Sequence, residues 1–152
     1  MRLSCQEQLL PGRTLEEKFD FACRAGFDAI ELHGEGDFHL ESRLPELCRA
    51  RDAGVVMSTV CADMPHSIGD ADAVRRRDAI DQLISQLSVV AELGGTGVLT
   101  PAAWGRAAPR PSPAAAPHPP AADRQALLEA LIELGEHAAR LGVLIILEPL
   151  NR

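Results

Sequence analysis

The sequence predicts an α/β fold on a parallel sheet, with about five strands alternating with four helices. Three observations carry that expectation. Short apolar runs of strand length are each followed by a longer stretch of helical periodicity, the pattern of successive βαβ units. The run Val143-Leu144-Ile145-Ile146-Leu147 is apolar without polar alternation, as in a strand covered on both faces, which disfavours an antiparallel sandwich. Gly142 before it and Pro149 after it hold the run to strand length and argue against a buried helix.

Strands are expected near Arg2 to Cys5, Phe27 to Leu32, Val55 to Cys61, Gly97 to Thr100 and Val143 to Glu148. The first helix opens on Thr14 with Glu17 three residues on, a capping box in which each side chain satisfies the other's free backbone N–H. Leu15, Phe19, Ala22 and Cys23 then share one face, and Gly26 closes the helix. A second helix begins around Pro45, whose missing N–H costs nothing in a first turn, and ends at Gly54. The third and longest repeats Ile80, Leu83, Ile84, Leu87, Val90 and Ala91 before Gly94 and Gly95. The fourth carries Leu127, Leu128, Leu131, Leu134, Ala138 and Leu141 and ends at Gly142. One segment breaks the rhythm: residues 106–122 are almost entirely Pro, Ala and Arg, with six prolines, and read as a loop insertion after the fourth strand, either a plain spacer or a lid.

Composition narrows the function classes. Hydrophobic residues at 46% and charged residues at 24% are ordinary for a globular protein of 152 residues. The net charge of −7 makes nucleic acid and anionic membrane poor partners. Arg75-Arg76-Arg77 is the one basic run, but Asp78 and Asp81 follow it on an amphipathic helix, so a solvated face is expected. Cys5, Cys23, Cys48 and Cys61 form no CxxC pair, which argues against a zinc knuckle or dithiol site. The expected compartment is the cytoplasm: Gln6, Glu7 and Gln8 interrupt any signal-peptide core, and no apolar run approaches the ~18 residues of a membrane span.

In parallel α/β folds ligands gather at the carboxyl ends of the strands. That rule selects Glu31 and His33 after the second strand, Cys61, Asp63 and His66 after the third, Trp104 after the fourth, and Glu148 with Asn151 and Arg152 after the fifth. Glu148 is the first candidate, because a carboxylate directly after five apolar residues needs a cation, a donor network or a polar cavity. A metal ion is one such partner; pairing with Arg152 or solvation at the strand end is the other. Cys61 fits a small buried hydrophobe better than a nucleophile.

Glu148-Pro149-Leu150-Asn151-Arg152, directly after Leu-Ile-Ile-Leu, resembles the fifth-strand motif of the sugar-phosphate isomerase/epimerase family, the xylose isomerase-like barrels. The segment from Gly26 to Leu32 is similar to that family's second strand. His66-Ser67-Ile68-Gly69 and the long helix after it are similar to the region following its third. The resemblance spans nearly the whole chain outside the proline-rich insertion. It implies that residues 1–152 form a single incomplete domain, part of a (β/α)8 TIM barrel whose full length is roughly 250 residues.

The resemblance also implies an activity: a metal-dependent isomerase or epimerase of a sugar, sugar phosphate or related hydroxyketone, acting through an enediolate. Glu148 would be both catalytic carboxylate and metal ligand, the metal being manganese or magnesium in the first instance, with cobalt or zinc as further options. Glu31, His33, His66, Trp104 and Arg152 would contact substrate, Trp104 by stacking on a sugar face. The family's remaining ligands, an Asp, a His and a second Glu, come from strands six to eight, so the chain alone is expected to be inactive. Association with a second copy or with a complementary half-barrel is expected to cover the sheet edges. Two alternatives stand beside this reading: an apurinic endonuclease-like DNA-repair barrel, which draws a histidine from the fourth strand where this chain has Val98-Leu99-Thr100-Pro101, and a non-catalytic half-barrel module.

Overall fold

A computed structural model describes residues 1–102 and 120–148. The strands are β1 (Ser4–Gln6), β2 (Ala29–Glu35), β3 (Met57–Asp63), β4 (Gly97–Pro101) and β5 (Leu144–Glu148). They form one sheet in the order β1-β2-β3-β4-β5, every neighbouring pair parallel. The helices are α1 (Leu15–Arg24), α2 (His39–Ser42), α3 (Leu44–Asp52), α4 (Ala73–Glu92) and α5 (Pro120–Leu141). Every strand lies within a few residues of its expected position. The expected count of four helices is exceeded by one, because the single turn of α2 is too short to show a periodicity in sequence. Helix α5 takes in the last three residues of the expected 106–122 loop; the rest of that insertion, apart from Pro120–Ala122, lies outside the described residues.

Helix ends set where strands begin. Thr14 Oγ1 accepts the Glu17 N–H at 3.2 Å, as the capping box requires. The return bond shifts by one residue, since Glu17 Oε2 accepts from Arg13 N–H at 2.6 Å. Asp72 caps α4 by accepting from Val74 and Arg75 N–H. At the other end, α1 closes with Gly26 at φ +90, its N–H donating to Cys23 O and the Phe27 N–H donating to Ala22 O. This double bond to the last turn needs a left-handed residue, hence glycine. The same closure recurs before β3 at Gly54, before β4 at Gly94 and before β5 at Gly142. One chemical device, used four times, turns each long helix into the next strand.

The helices pack their apolar faces on one side of the sheet. Ile30 and Leu32 of β2, Val60 of β3 and Val98 of β4 are fully buried there with Leu47, Leu83, Leu87 and Leu134 of the helices. Each such side chain contributes about 1.5–3 kcal/mol by leaving water. The basic run of α4 is absorbed by acids: Arg75 binds Asp70, and Arg77 binds Asp81 and reaches Glu133 on α5 at 2.8 Å. These arginines tie α4 to its own loop and to α5 and form no free basic stripe.

Two glutamines on α4 break the apolar face. Gln82 and Gln86 are 2% and 3% exposed, and both reach the end of β2. Gln86 Nε2 donates to Gly34 O at 2.9 Å and Gln82 Oε1 accepts the Asp37 N–H at 2.9 Å. The helix therefore holds the loop after β2 through backbone polar groups that would otherwise be buried without partners. The contact requires glycine at position 34, where a Cβ would lie 2.7 Å from Gln86 Oε1, 2.7 Å from Val60 Cγ1 and 3.0 Å from Cys61 O.

Gly34→Ala is accordingly expected to destabilise the fold by about 1–3 kcal/mol, the usual cost of overpacking a tight site. Urea unfolding of the variant reads this directly. A midpoint equal to wild type would mean that α4 does not press on the end of β2.

Candidate active site

Strand register sorts the sheet's other face, turned away from the helices, into rows. Gln6, Glu31 and Thr59 are neighbours across β1, β2 and β3; His33, Cys61, Leu99 and Ile146 form the next row; Glu35 faces Asp63 and Pro101 faces Glu148 at the carboxyl rim. Apart from Pro101, which is buried, these positions are half-buried or exposed where the helix-side positions of β2 and β3 are buried. The face is polar and acidic on its β1–β3 side and apolar toward β5, ending in Glu148.

Glu31 is held from both sides. Its Oε1 accepts from Gln6 Nε2 at 3.1 Å and its Oε2 from Thr59 Oγ1 at 2.7 Å. His33 lies one pleat nearer the rim, with Nε2 2.9 Å from Asp63 Oδ2. Cys61 sits in the His33 row: burial, with the nearby charges of Glu31, Glu148 and Asp63, pushes its thiol up to about 11. The raised value favours the neutral thiol, in keeping with a small apolar side chain more than with a nucleophile. Glu148, half-buried, ends β5 on this same face.

His66 stands on the loop between β3 and α4, its Nδ1 2.7 Å from Asp78 Oδ2. The structure thus puts Glu31, His33, Asp63 and Glu148 on one face of the sheet and His66 on a loop at its carboxyl end. Trp104 and Arg152 lie outside the described residues, as do Pro149 to Asn151 of the fifth-strand motif.

The principal omission of the sequence reading is Glu7. It follows β1 in a single 3-10 turn (Glu7–Leu9) and is 4% exposed. Arg43 donates to both of its oxygens, at 2.8 and 2.9 Å, and the His33 N–H donates to Oε1 at 2.8 Å. Burial alone would raise the Glu7 carboxyl, but the hydrogen bonds from Arg43 and His33 together with the Arg43 charge outweigh it and hold the carboxyl below its usual range. The same bond raises the Arg43 guanidinium. The strand-end rule, applied to the first strand as to the others, would have selected Glu7. Gln6, Thr59, Asp78 and Gln82 carried no comparable signal.

Among the described residues, no three His, Cys, Asp or Glu side chains converge as a metal site. No described helix is long and apolar enough to cross a membrane.

A family model described as xylose isomerase-like TIM barrel matches residues 19–152. A curated protein, 3-dehydro-D-guloside 4-epimerase of Escherichia coli strain K12, is 33% identical over 153 aligned positions, which take in 100% of this chain and 57% of that protein. The crystal structure of 3-keto-D-glucoside 4-epimerase from E. coli, in its apo form, superposes with a TM-score of 0.83 at 33% identity over 100% of this chain and 57% of that one. D-allulose 3-epimerase from Methylomonas sp. shares the fold at a TM-score of 0.69 and 16% identity, over 100% of this chain and 52% of that one. The chain therefore spans a little over half the length of the relatives it matches.

The Glu7–Arg43 pair gives this rim a pH signature. A carboxyl lowered on folding contributes stability above its unfolded value, about 4.3, and loses that contribution as pH falls through the lower folded one. Glu7→Gln is expected to cost about 3 kcal/mol at neutral pH, because it leaves Arg43 buried without its counter-charge. The gap to wild type should close as pH falls below about 4.3 and through the lower folded value. Urea midpoints across that range measure it; a gap that does not depend on pH would remove the ion pair as the anchor of this end of the sheet.

Proposed function

Because the chain belongs to the xylose isomerase-like TIM-barrel family, we propose that it contributes the first five strands of an epimerase acting on a keto sugar, with Glu148 as a carboxylate that moves the proton beside the carbonyl. The observation that carries this reading is the position of Glu148: it ends β5 on the open face of the sheet, on the same side as Glu31, Cys61 and Asp63. The 33% identity to a 4-epimerase along the whole of this chain supports the substrate class.

The chemistry follows from the acidity of a carbon next to a ketone. Removal of its proton gives an enediolate, and return of a proton to the opposite face inverts that carbon. Glu148 takes or returns the proton on one face, and a second group, outside the described residues, serves the other. Glu31, fixed by Gln6 and Thr59, offers oxygens that accept from sugar hydroxyls. His33 and His66, each bound to an aspartate, are candidates for the same role. Trp104 and Arg152 complete the proposed contacts.

A divalent cation, manganese or magnesium first, fits this chemistry with Glu148 as one of its ligands. The remaining ligands of the roughly six such an ion takes would come from outside the described residues. When bound, it supplies the positive charge that stabilises a carbonyl oxygen as the neighbouring proton leaves.

The first test is isotope exchange. The chain, extended through the remaining strands and supplied with manganese, is expected to exchange the α-hydrogen of a 3-keto-glucoside for solvent deuterium, and Glu148→Gln to slow exchange at least about 100-fold, the scale of a lost general base. Unchanged exchange in that variant would take Glu148 out of the mechanism.

We further propose that β5 and α5 are covered by a second copy or a complementary half. Leu144 and Leu147 of β5 are 56% and 44% exposed, and Leu128 and Ile132 of α5 are 46% and 53% exposed. Apolar surface beside a strand edge favours association. Sedimentation of the chain is expected to show a dimer or larger species; a monodisperse monomer with a cooperative melt would refute it.

A further inference from the structure

The polarity of one run of hydrogen bonds is fixed from its backbone end. After β2 the chain passes through Asp37 and Phe38, both at φ 56, a left-handed conformation unusual for residues other than glycine. Such a pair is strained and persists only where neighbours hold it. What holds it here is the Asp37 N–H donating to Gln82 Oε1 at 2.9 Å. A backbone N–H only donates, so the Gln82 amide must turn its oxygen toward Asp37 and its NH2 away. At 2% exposure, Gln82 has no solvent alternative.

The amide nitrogen therefore donates to Asp78 Oδ2, at 2.8 Å. That oxygen is an acceptor, and the second group it meets is His66 Nδ1 at 2.7 Å. The hydrogen in that contact comes from the imidazole. Neutral His66 is then the Nδ1–H tautomer, with its lone pair on Nε2. Nε2 has no hydrogen-bond partner among the described residues, and the side chain is 32% exposed. His33 has the opposite arrangement, its Nε2 being the nitrogen that meets a carboxylate, Asp63.

We propose that Asp78 is a positioning residue that, with Gln82, holds His66 in the Nδ1–H tautomer and so presents Nε2 at the carboxyl rim as an acceptor for a substrate hydroxyl. The second half of this statement rests on the reading of the rim as a keto-sugar site; the first half does not. Asp78 acts through His66 and does not touch substrate. The loop after β2 enters the same device, since the Asp37 N–H is the group that orients the amide.

The test is imidazole 15N–1H spectroscopy of the labelled chain above the pH at which the histidines titrate, with methyl 3-keto-glucoside as the probe. Wild type is expected to show His66 with the proton on Nδ1. Asp78→Ala should shift population to the Nε2–H form, and Asp78→Asn should restore the original tautomer, since a carbonyl oxygen can still accept from both Gln82 and His66. The probe should displace the Nε2 resonance, and its Kd should rise about two- to tenfold in Asp78→Ala, the effect of one hydrogen bond. A wild-type His66 protonated on Nε2 overturns the proposal without any variant, as does an unchanged tautomer in a folded Asp78→Ala. A correct tautomer with an unmoved Nε2 resonance overturns the substrate role alone. Failure of the Glu148 exchange experiment leaves the tautomer result standing, so the two readings fall separately.

Discussion

Side chains alternate faces along a strand, so the register of each pair decides which residues enter the core and which reach the rim. Between β2 and β3 that register steps: Ile30 faces Met57, but Glu31 faces Thr59, and Ser58 is left as an extra residue on β3. The step reverses the phase of β3 relative to what Met57 would dictate. Val60 and Ala62 consequently join Ile30 and Leu32 under the helices, while Thr59, Cys61 and Asp63 join Glu31 and His33 on the open face. Without the step, Ser58 would face Glu31 and Thr59 would face Leu32 under the helices, and the bonds Thr59–Glu31 and Asp63–His33 would not form. Bulges that re-aim side chains beside a functional face are a recurring use of this irregularity.

That step also marks the limit of what sequence patterning reads. The strands and long helices were legible because their signals are local: a cap such as Thr14 with Glu17, an apolar stripe such as Ile80 to Leu87, a closing glycine such as Gly142. The strand-end rule found Glu31, His33, Asp63 and Glu148, all of which lie on the open face. Which face a side chain occupies within a strand depends on pairing, and a one-residue step at Ser58 leaves no mark in composition. The polar partners were hidden for a similar reason. Glu7 meets Arg43 thirty-six positions away, and Gln82 meets Asp37 forty-five away. Both glutamines of α4 read as interruptions of an apolar face until the loop they hold is seen.

The expectation that β5 is covered on both faces needs a narrower form. Its side chains are apolar on both sides, as in a central strand, yet Leu144 on one face and Leu147 on the other are exposed. Coverage comes from neighbours beyond a strand, and β4 is its one partner among the described residues. The same logic applies to the outer face of α5, where Leu128 and Ile132 fall one turn apart.

Charge on the open face bears on the kind of ligand that suits it. Glu31, Asp63 and Glu148 lie close enough to Cys61 to disfavour its ionisation together with burial. The Arg43 guanidinium beside His33 is already engaged, bound through two nitrogens by Glu7. A phosphate brought here would meet carboxylates whose counter-charges are spent elsewhere, whereas the hydroxyls of a neutral sugar would meet acceptors. Within the described residues the open face thus offers acceptors to hydroxyl groups.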